Sequence, residues 1–265
     1  MRSIAVMNQK GGVGKTTTAV NVSAALAATG QRVCLIDLDP QAHATLHFGL
    51  DPGPDVPSIY DVLAGRARLA DVRHQVDEHL WVVGSQLDLA AAELELAGVV
   101  GREVILRDKL AEDDQPFDYL FVDCPPSLGI LTLNALAAVE EVFLPLQPHF
   151  LALHGLSKLL ETIDLVARRL NGRLKLSGVI LCLYDGGTRL AVEVSRDVDE
   201  FFRRAQDRQT PWAGAYTFQT RIRRNARLAE APSFGQSIFQ YAPGSHGAED
   251  YHSLAREILA LGTGQ

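Results

Sequence analysis

The stretch Gln9-Lys10-Gly11-Gly12-Val13-Gly14-Lys15-Thr16-Thr17 limits what this chain can be more than any other. A short apolar run, Ile4-Ala5-Val6-Met7, precedes it and reads as a buried strand. A helical pattern follows, with Ala19, Val22 and Leu26 on one face and Gly30 as its C-terminal stop. Strand, glycine loop and helix, in that order, are the context that gives a phosphate-loop pattern a mechanism. Gly11, Gly12, Val13 and Gly14 let successive backbone N–H groups turn inward around phosphate oxygens. The helix N-terminus adds free N–H groups and partial positive charge. Lys15 is then placed for the β- and γ-phosphates and the Thr16 hydroxyl for Mg²⁺, with Thr17 the last residue of the nucleotide-binding stretch.

The standard pattern wants glycine six residues before the lysine, where this chain has Gln9, with a second lysine, Lys10, beside it. The form Lys-Gly-Gly-Val-Gly-Lys-Thr-Thr resembles the deviant phosphate loop of the ParA/MinD group of P-loop ATPases. That resemblance implies that Lys10 reaches across a dimer interface to the partner's nucleotide. It also implies ATP and Mg²⁺ as cofactors, with Lys10 and Lys15 in the catalytic set.

The 265 residues are 47% hydrophobic and 22% charged, which suits one large α/β domain over 1–265 with a full core of its own. No run approaches the roughly 18 apolar residues of a membrane span. The first strand stands at the N-terminus, so no leader is expected and the location is read as cytoplasmic. Cys34, Cys124 and Cys182 show no paired spacing and sit in or beside predicted strands; they read as buried thiols, not metal ligands. His43, His47, His74 and His79 read as surface or packing residues. A net charge of −7 speaks against a globally basic nucleic-acid binder and leaves a local patch open.

Val33-Cys34-Leu35-Ile36 reads as the second strand, opening into Asp37-Leu38-Asp39-Pro40-Gln41. An acidic pair at the C-terminal edge of a parallel strand faces the ligand crevice of an open α/β sheet. The stretch resembles the ParA switch I region, which implies that Asp39 positions the attacking water and Asp37 supports the Mg²⁺ site. Between residues 58 and 110 the pattern gives two or three helices and one strand, Leu80–Val83, with no chemistry assigned. Tyr119-Leu120-Phe121-Val122-Asp123 is an apolar run ending in a carboxylate, the form of a Walker B strand that delivers Asp123 to the Mg²⁺ shell. Cys124-Pro125-Pro126-Ser127 resembles the family's switch II segment.

Val142–Leu146 and Val179–Leu183 read as further strands, with a core-packing helix over 152–170 between them. His149 and His154 stand where many relatives carry glutamate. The turn Tyr184–Arg189 resembles the Asp-x-Arg-Thr turn of chromosomal relatives with its arginine moved, Gly187 taking the usual place.

Thr220–Leu228 carries Arg221, Arg223, Arg224 and Arg227 and no acid. With Ala229-Glu230-Ala231-Pro232-Ser233-Phe234-Gly235 it resembles a family signature whose start packs on adenine. Asn225 fits that role; Arg223 replaces the family's proline and is open to either nucleotide or DNA. Arg221, Arg224 and Arg227 are candidate DNA-phosphate contacts, with a solvated basic loop as the other reading. The last helix, about 248–261, has one arginine and no lysine, which disfavours a membrane-targeting tail.

The expected fold is α/β: a doubly wound, mostly parallel sheet flanked by helices, a P-loop NTPase. The resemblance spans nearly the whole chain and implies a ParA-type partition ATPase of the short, Soj-like form. It implies an ATP-dependent homodimer, non-specific DNA binding with nucleoid association, a ParB-like adaptor and no membrane. A positioning ATPase for a chemoreceptor array or microcompartment, and a MinD-like division regulator, remain alternatives.

Overall fold

Eight strands form the frame: β1 (Arg2–Val6), β2 (Val33–Asp37), β3 (Arg73–Asp77), β4 (Leu80–Val83), β5 (Tyr119–Asp123), β6 (Glu141–Leu146), β7 (Lys175–Leu181) and β8 (Tyr216–Thr217). They lie in one sheet in the order β3-β4-β2-β5-β1-β6-β7-β8. All neighbours are parallel except β3, which runs antiparallel to β4 at one edge. The computed structural model describes residues 1–51, 53, 56–149 and 155–262, with Glu93 by its backbone alone.

The central strands are apolar on both faces, because helices cover both faces of a parallel sheet. On β5, Leu120 and Val122 enter one core layer while Tyr119 and Phe121 enter the other. Ala5 on β1 and Ile36 on β2 share the first layer; Ile4, Val6 and Leu35 share the second. The first layer is closed by the helices Ile130–Ala138, Leu156–Arg169 and Arg189–Arg203, through Leu131, Ala135, Leu159, Ile163, Val198 and Phe202. The second is closed by Lys15–Ala27 and His246–Gly262, through Val22, Leu26, Leu254 and Ile258. The apolar face of the terminal helix is therefore spent inside the core, and no described helix is long and apolar enough to cross a membrane.

The expected central strands and the doubly wound sheet are present, and two strands are additions. β3 (Arg-His-Gln-Val-Asp) is a polar edge strand with no apolar run to mark it, and β8 is two residues long. The stretch from 58 to 110 holds four short helices, Ile59–Leu63, Leu69–Val72, Leu89–Glu95 and Ile105–Ala111. His154, and Pro52, Pro54 and Asp55 of the turn-rich loop, lie outside the described residues.

β1 sits between β5 and β6, and the chain leaves it toward β2 on one side and later places β6 on the other. That divergence opens a crevice beyond the C-terminal ends of the strands, where the loops after β1, β2 and β5 meet.

Candidate nucleotide site

The loop after β1 is bent by two glycines in the left-handed region, Gly12 at φ 72° and Gly14 at φ 92°. L-residues with a Cβ rarely adopt this conformation. Asn8 ties the loop to the sheet, its Nδ2 donating to the Pro145 carbonyl at 2.8 Å and its Oδ1 accepting from Lys10 N at 3.0 Å. Gly14 is the N-cap of the helix beginning at Lys15 and uses no side chain to cap it, so the first N–H groups remain available to an anion.

Beside this loop is a cavity of about 460 Å³. Its phosphate-loop wall is Gly11, Gly12, Gly14, Lys15, Thr16 and Thr17, with Asp39, Gln41 and Pro126 alongside. The opposite wall is largely apolar, formed by Leu183, Ile222, Leu228, Ala229 and Tyr251 with Asn225 and Arg223. One end thus offers N–H groups and an ammonium, the other a surface suited to a flat apolar ring.

Lys15 is 8% exposed, and its Nζ donates to the Lys10 carbonyl at 3.3 Å. Burial lowers its pKa, and the Asp123 and Asp39 carboxylates act the other way. The paired register of β2 and β5 sets Asp37 directly beside Asp123 at the ends of their strands. Both are fully buried, and burial pushes both carboxyls above their usual range, each raised further by neighbouring carboxylates.

Their surroundings differ. Asp37 Oδ2 accepts from Thr45 N at 2.8 Å and Thr45 Oγ1 at 2.7 Å, and Oδ1 accepts from Asp39 N at 3.1 Å. Among the described residues neither oxygen of Asp123 has a hydrogen-bond partner within 3.5 Å, and the Thr16 hydroxyl is the donor that faces it. A buried carboxylate without donors is costly unless a cation meets it. Asp123, facing Thr16 and Lys15 across the site, fits Mg²⁺ on that ground. Asp37 is committed to the protein, and in this structure it anchors the loop after β2.

Asp39 is 8% exposed in the cavity wall, its Oδ1 accepting from Gln41 N at 3.0 Å. Val13 turns its side chain into the core, 1% exposed, so only its backbone can serve a ligand. Lys10 is exposed and lies outside this cavity, with its Nζ against His149 Nε2. Asn225 lines the cavity while its Oδ1 caps the helix Ala226–Glu230 by accepting from Arg227 N at 2.8 Å.

The arginines that looked free of acids in the sequence are not equivalent in space. Arg223 Nε donates to Asp250 Oδ1 at 2.9 Å, and its Nη2 reaches Glu249 at 2.6 Å. Arg227 pairs with Glu230 at 2.7 Å. Arg221 donates to the Phe218 carbonyl. Arg224 is exposed, with no carboxylate partner among the described residues. The acids on Arg223 come from the terminal helix, which no local reading of 220–228 could place.

Sequence reasoning also missed His43, which lines the cavity, and Thr45 and Ser85, whose hydroxyls hold the switch loop. The signal for Thr45 was its place just beyond the acidic pair; Ser85 follows β4, 46 residues along the chain from Asp39, and carried none. His47 is a packing residue as expected, 1% exposed, with burial lowering its pKa to about 4. The three cysteines are free and buried, and burial pushes Cys34 and Cys182 up to about 12.

The AAA domain family model matches residues 1–176. The chain is 44% identical over 260 residues to the sporulation initiation inhibitor protein Soj of Bacillus subtilis, covering 98% of each. It is 45% identical over 261 residues to the chromosome-partitioning ATPase Soj of Thermus thermophilus, covering 98% of this chain and 96% of that protein. Among solved structures it is similar to one described as cobyrinic acid a,c-diamide synthase from Mycobacterium smegmatis with bound ATP analog and magnesium. That match has 36% identity and a TM-score of 0.82, over 100% of this chain and 97% of the other. With identities of this size running the full length of the phosphate-loop fold, the chain belongs to the ParA/Soj family of chromosome-partitioning ATPases.

Proposed function

We propose that residues 1–265 act as one Mg²⁺-dependent ATPase domain whose ATP-bound form pairs two copies, binds DNA without sequence preference and partitions a chromosome or plasmid with a ParB-like adaptor. The observation that carries the ATPase reading is the fully buried Asp123 behind Lys15 and Thr16, two residues of the glycine-loop wall of the cavity. Lys15 and the backbone N–H groups of Gly11 through Thr17 would hold the phosphates; Thr16 and Asp123 would hold Mg²⁺, with Asp37 as a structural neighbour. Bound Mg²⁺ supplies charge neutralisation at the phosphates. Asp39 orients a water, and Asn225 sits at the end that takes the base.

Burial of the terminal helix's apolar face supports a nucleoid-bound, cytoplasmic protein over a membrane-surface regulator. On the DNA side, Arg224 is the most available of the cluster, and Arg221 and Arg227 must share or surrender their present partners. A net charge of −7 makes one copy a poor duplex binder, so doubling the patch in a dimer is what allows several phosphates to be neutralised together.

Sedimentation of the Asp39→Ala protein with Mg–ATP tests the switch. The expected result is a stable ATP-bound dimer that retains duplex DNA, because positioning residues act on the barrier and not on ground-state binding. A protein that stays monomeric under saturating Mg–ATP, or a dimer without DNA affinity, refutes the corresponding part.

A further inference from the structure

A closed ring of buried polar groups joins the ends of β2 and β4. Thr45 Oγ1 donates to Asp37 Oδ2 and accepts from Ser85 N at 2.8 Å. Ser85 Oγ donates to the Asp39 carbonyl at 2.7 Å, and Asp39 N returns to Asp37. Thr45 is 2% and Ser85 1% exposed, so no member of this bridge between the strand ends exchanges freely with water. Gly84 lets Thr45 approach: a Cβ there would lie 3.1 Å from Thr45 Cγ2.

We propose that Ser85 and Thr45 are positioning residues for Asp39, fixing the loop that carries it against the rigid sheet while ATP is hydrolysed. This rests on the reading of Asp39 as the group that orients the attacking water. The Asp39 carbonyl also accepts from Ala42 N at 2.9 Å, but that bond lies within the loop and moves with it. Ser85 is the tie from that carbonyl to a separate strand end. The loop needs such a tie, because Ala42 is held at φ 53°, a left-handed conformation strained for a non-glycine residue. Backbone strain of this kind persists where neighbours over-determine the conformation.

Ser85→Ala removes the tie without orphaning a buried acceptor, since Ala42 N still serves the Asp39 carbonyl. The expected result is a melting temperature within about 4 °C of the parent, the scale of one lost hydrogen bond in a chain of this size, and parental Mg–ATP affinity by titration calorimetry. Single-turnover hydrolysis at saturating Mg–ATP should fall roughly ten- to a hundred-fold, the scale of small misplacements of a reacting group. Thr45→Ser, which keeps the bridging hydroxyl, should retain more of the rate than the isosteric Thr45→Val. Ser85→Ala hydrolysing at the parental rate, or losing ATP affinity in step with rate, overturns the inference. Asp39→Ala measured alongside separates the two claims. If Asp39→Ala is slow and Ser85→Ala is not, positioning alone fails; if Asp39→Ala keeps the parental rate, the reading of Asp39 fails with it.

Discussion

Replacing Asp123 by asparagine should make the nucleotide-free protein more stable at neutral pH while removing its response to Mg²⁺. The Asp123 carboxyl is fully buried and sits beside Asp37, and these outweigh the Thr16 hydroxyl and the Lys15 charge, so the folded state holds its proton to higher pH than the unfolded chain does. The sign follows from linkage. Above the ordinary carboxylate range and below the raised folded value, the folded state binds more protons, so stability falls as pH rises. One such group contributes a slope of about 1.4 kcal/mol per pH unit. For a chain of this size that is roughly 3–6 °C in melting temperature per pH unit. The amide of Asp123→Asn cannot ionise, so the variant should show a flatter profile and melt higher than the parent at pH 7.5 in EDTA. Scanning calorimetry at pH 5.5, 6.5 and 7.5 measures both profiles. A second series with Mg–ATP should raise the parent's melting temperature through ligand linkage, while the variant gains no more than with ATP in EDTA. An Asp123→Asn protein with the parental pH slope and a lower melting temperature at pH 7.5 would refute the argument that burial beside Asp37 raises the Asp123 carboxyl.

Gly11 has an ordinary φ, is exposed, and a Cβ there would meet nothing within 4 Å. Gly11→Val should therefore keep monomeric ATP binding and lose the ATP-dependent dimer in sedimentation; a variant that still dimerises counts against two phosphate loops meeting face to face. In filter binding over a salt series, Arg224→Ala should weaken DNA evenly across sequences and lower the salt slope by about one. Arg227→Ala should do less, because its charge is already paired with Glu230; equal effects would show that the ion pair opens on binding. Arg223→Ala should weaken ATP more than inorganic tripolyphosphate, since Arg223 lines the apolar end of the cavity; equal losses would place its effect on the phosphates.

How much of this was legible in the sequence depended on how far apart the partners lie. The loop from Lys10 to Thr17 announces itself because its glycines, lysine and following helix are contiguous, and the structure sets them together. β5 was readable because a strand covered on both faces must be apolar throughout, and its closing Asp123 stands out against that run. β3 was not, because an antiparallel edge strand can be polar on both sides and is defined by pairing with β4. The different fates of Asp37 and Asp123 were equally hidden. Both end apolar strands, and only the donors supplied by Thr45 and Asp39 separate a committed carboxylate from an open one. The arginine cluster misled for the same reason, since the acids on Arg223, Glu249 and Asp250, arrive from a helix far along the chain.

Lys10 gives the sharpest test of whether two copies share a site. Its side chain is exposed and does not line the cavity that Lys15 enters. Its Nζ lies against His149, whose imidazole is held below its usual range by burial and by the Lys10 charge. Its backbone carbonyl, by contrast, accepts from Lys15 Nζ, so the two lysines are coupled through the loop and not through a common ligand. From this placement a single copy makes no use of the Lys10 ammonium. Lys15→Ala should then abolish ATP binding in the monomer, whereas Lys10→Ala should bind Mg–ATP with parental affinity and fail to hydrolyse it. The Gly11→Val background makes the comparison clean, because there every titration reads one copy alone. A Lys10→Ala, Gly11→Val double variant that binds Mg–ATP as Gly11→Val does places the ammonium in the partner's site. A double variant with ATP affinity reduced tenfold, about 1.4 kcal/mol, would mean that Lys10 swings into its own cavity and acts there.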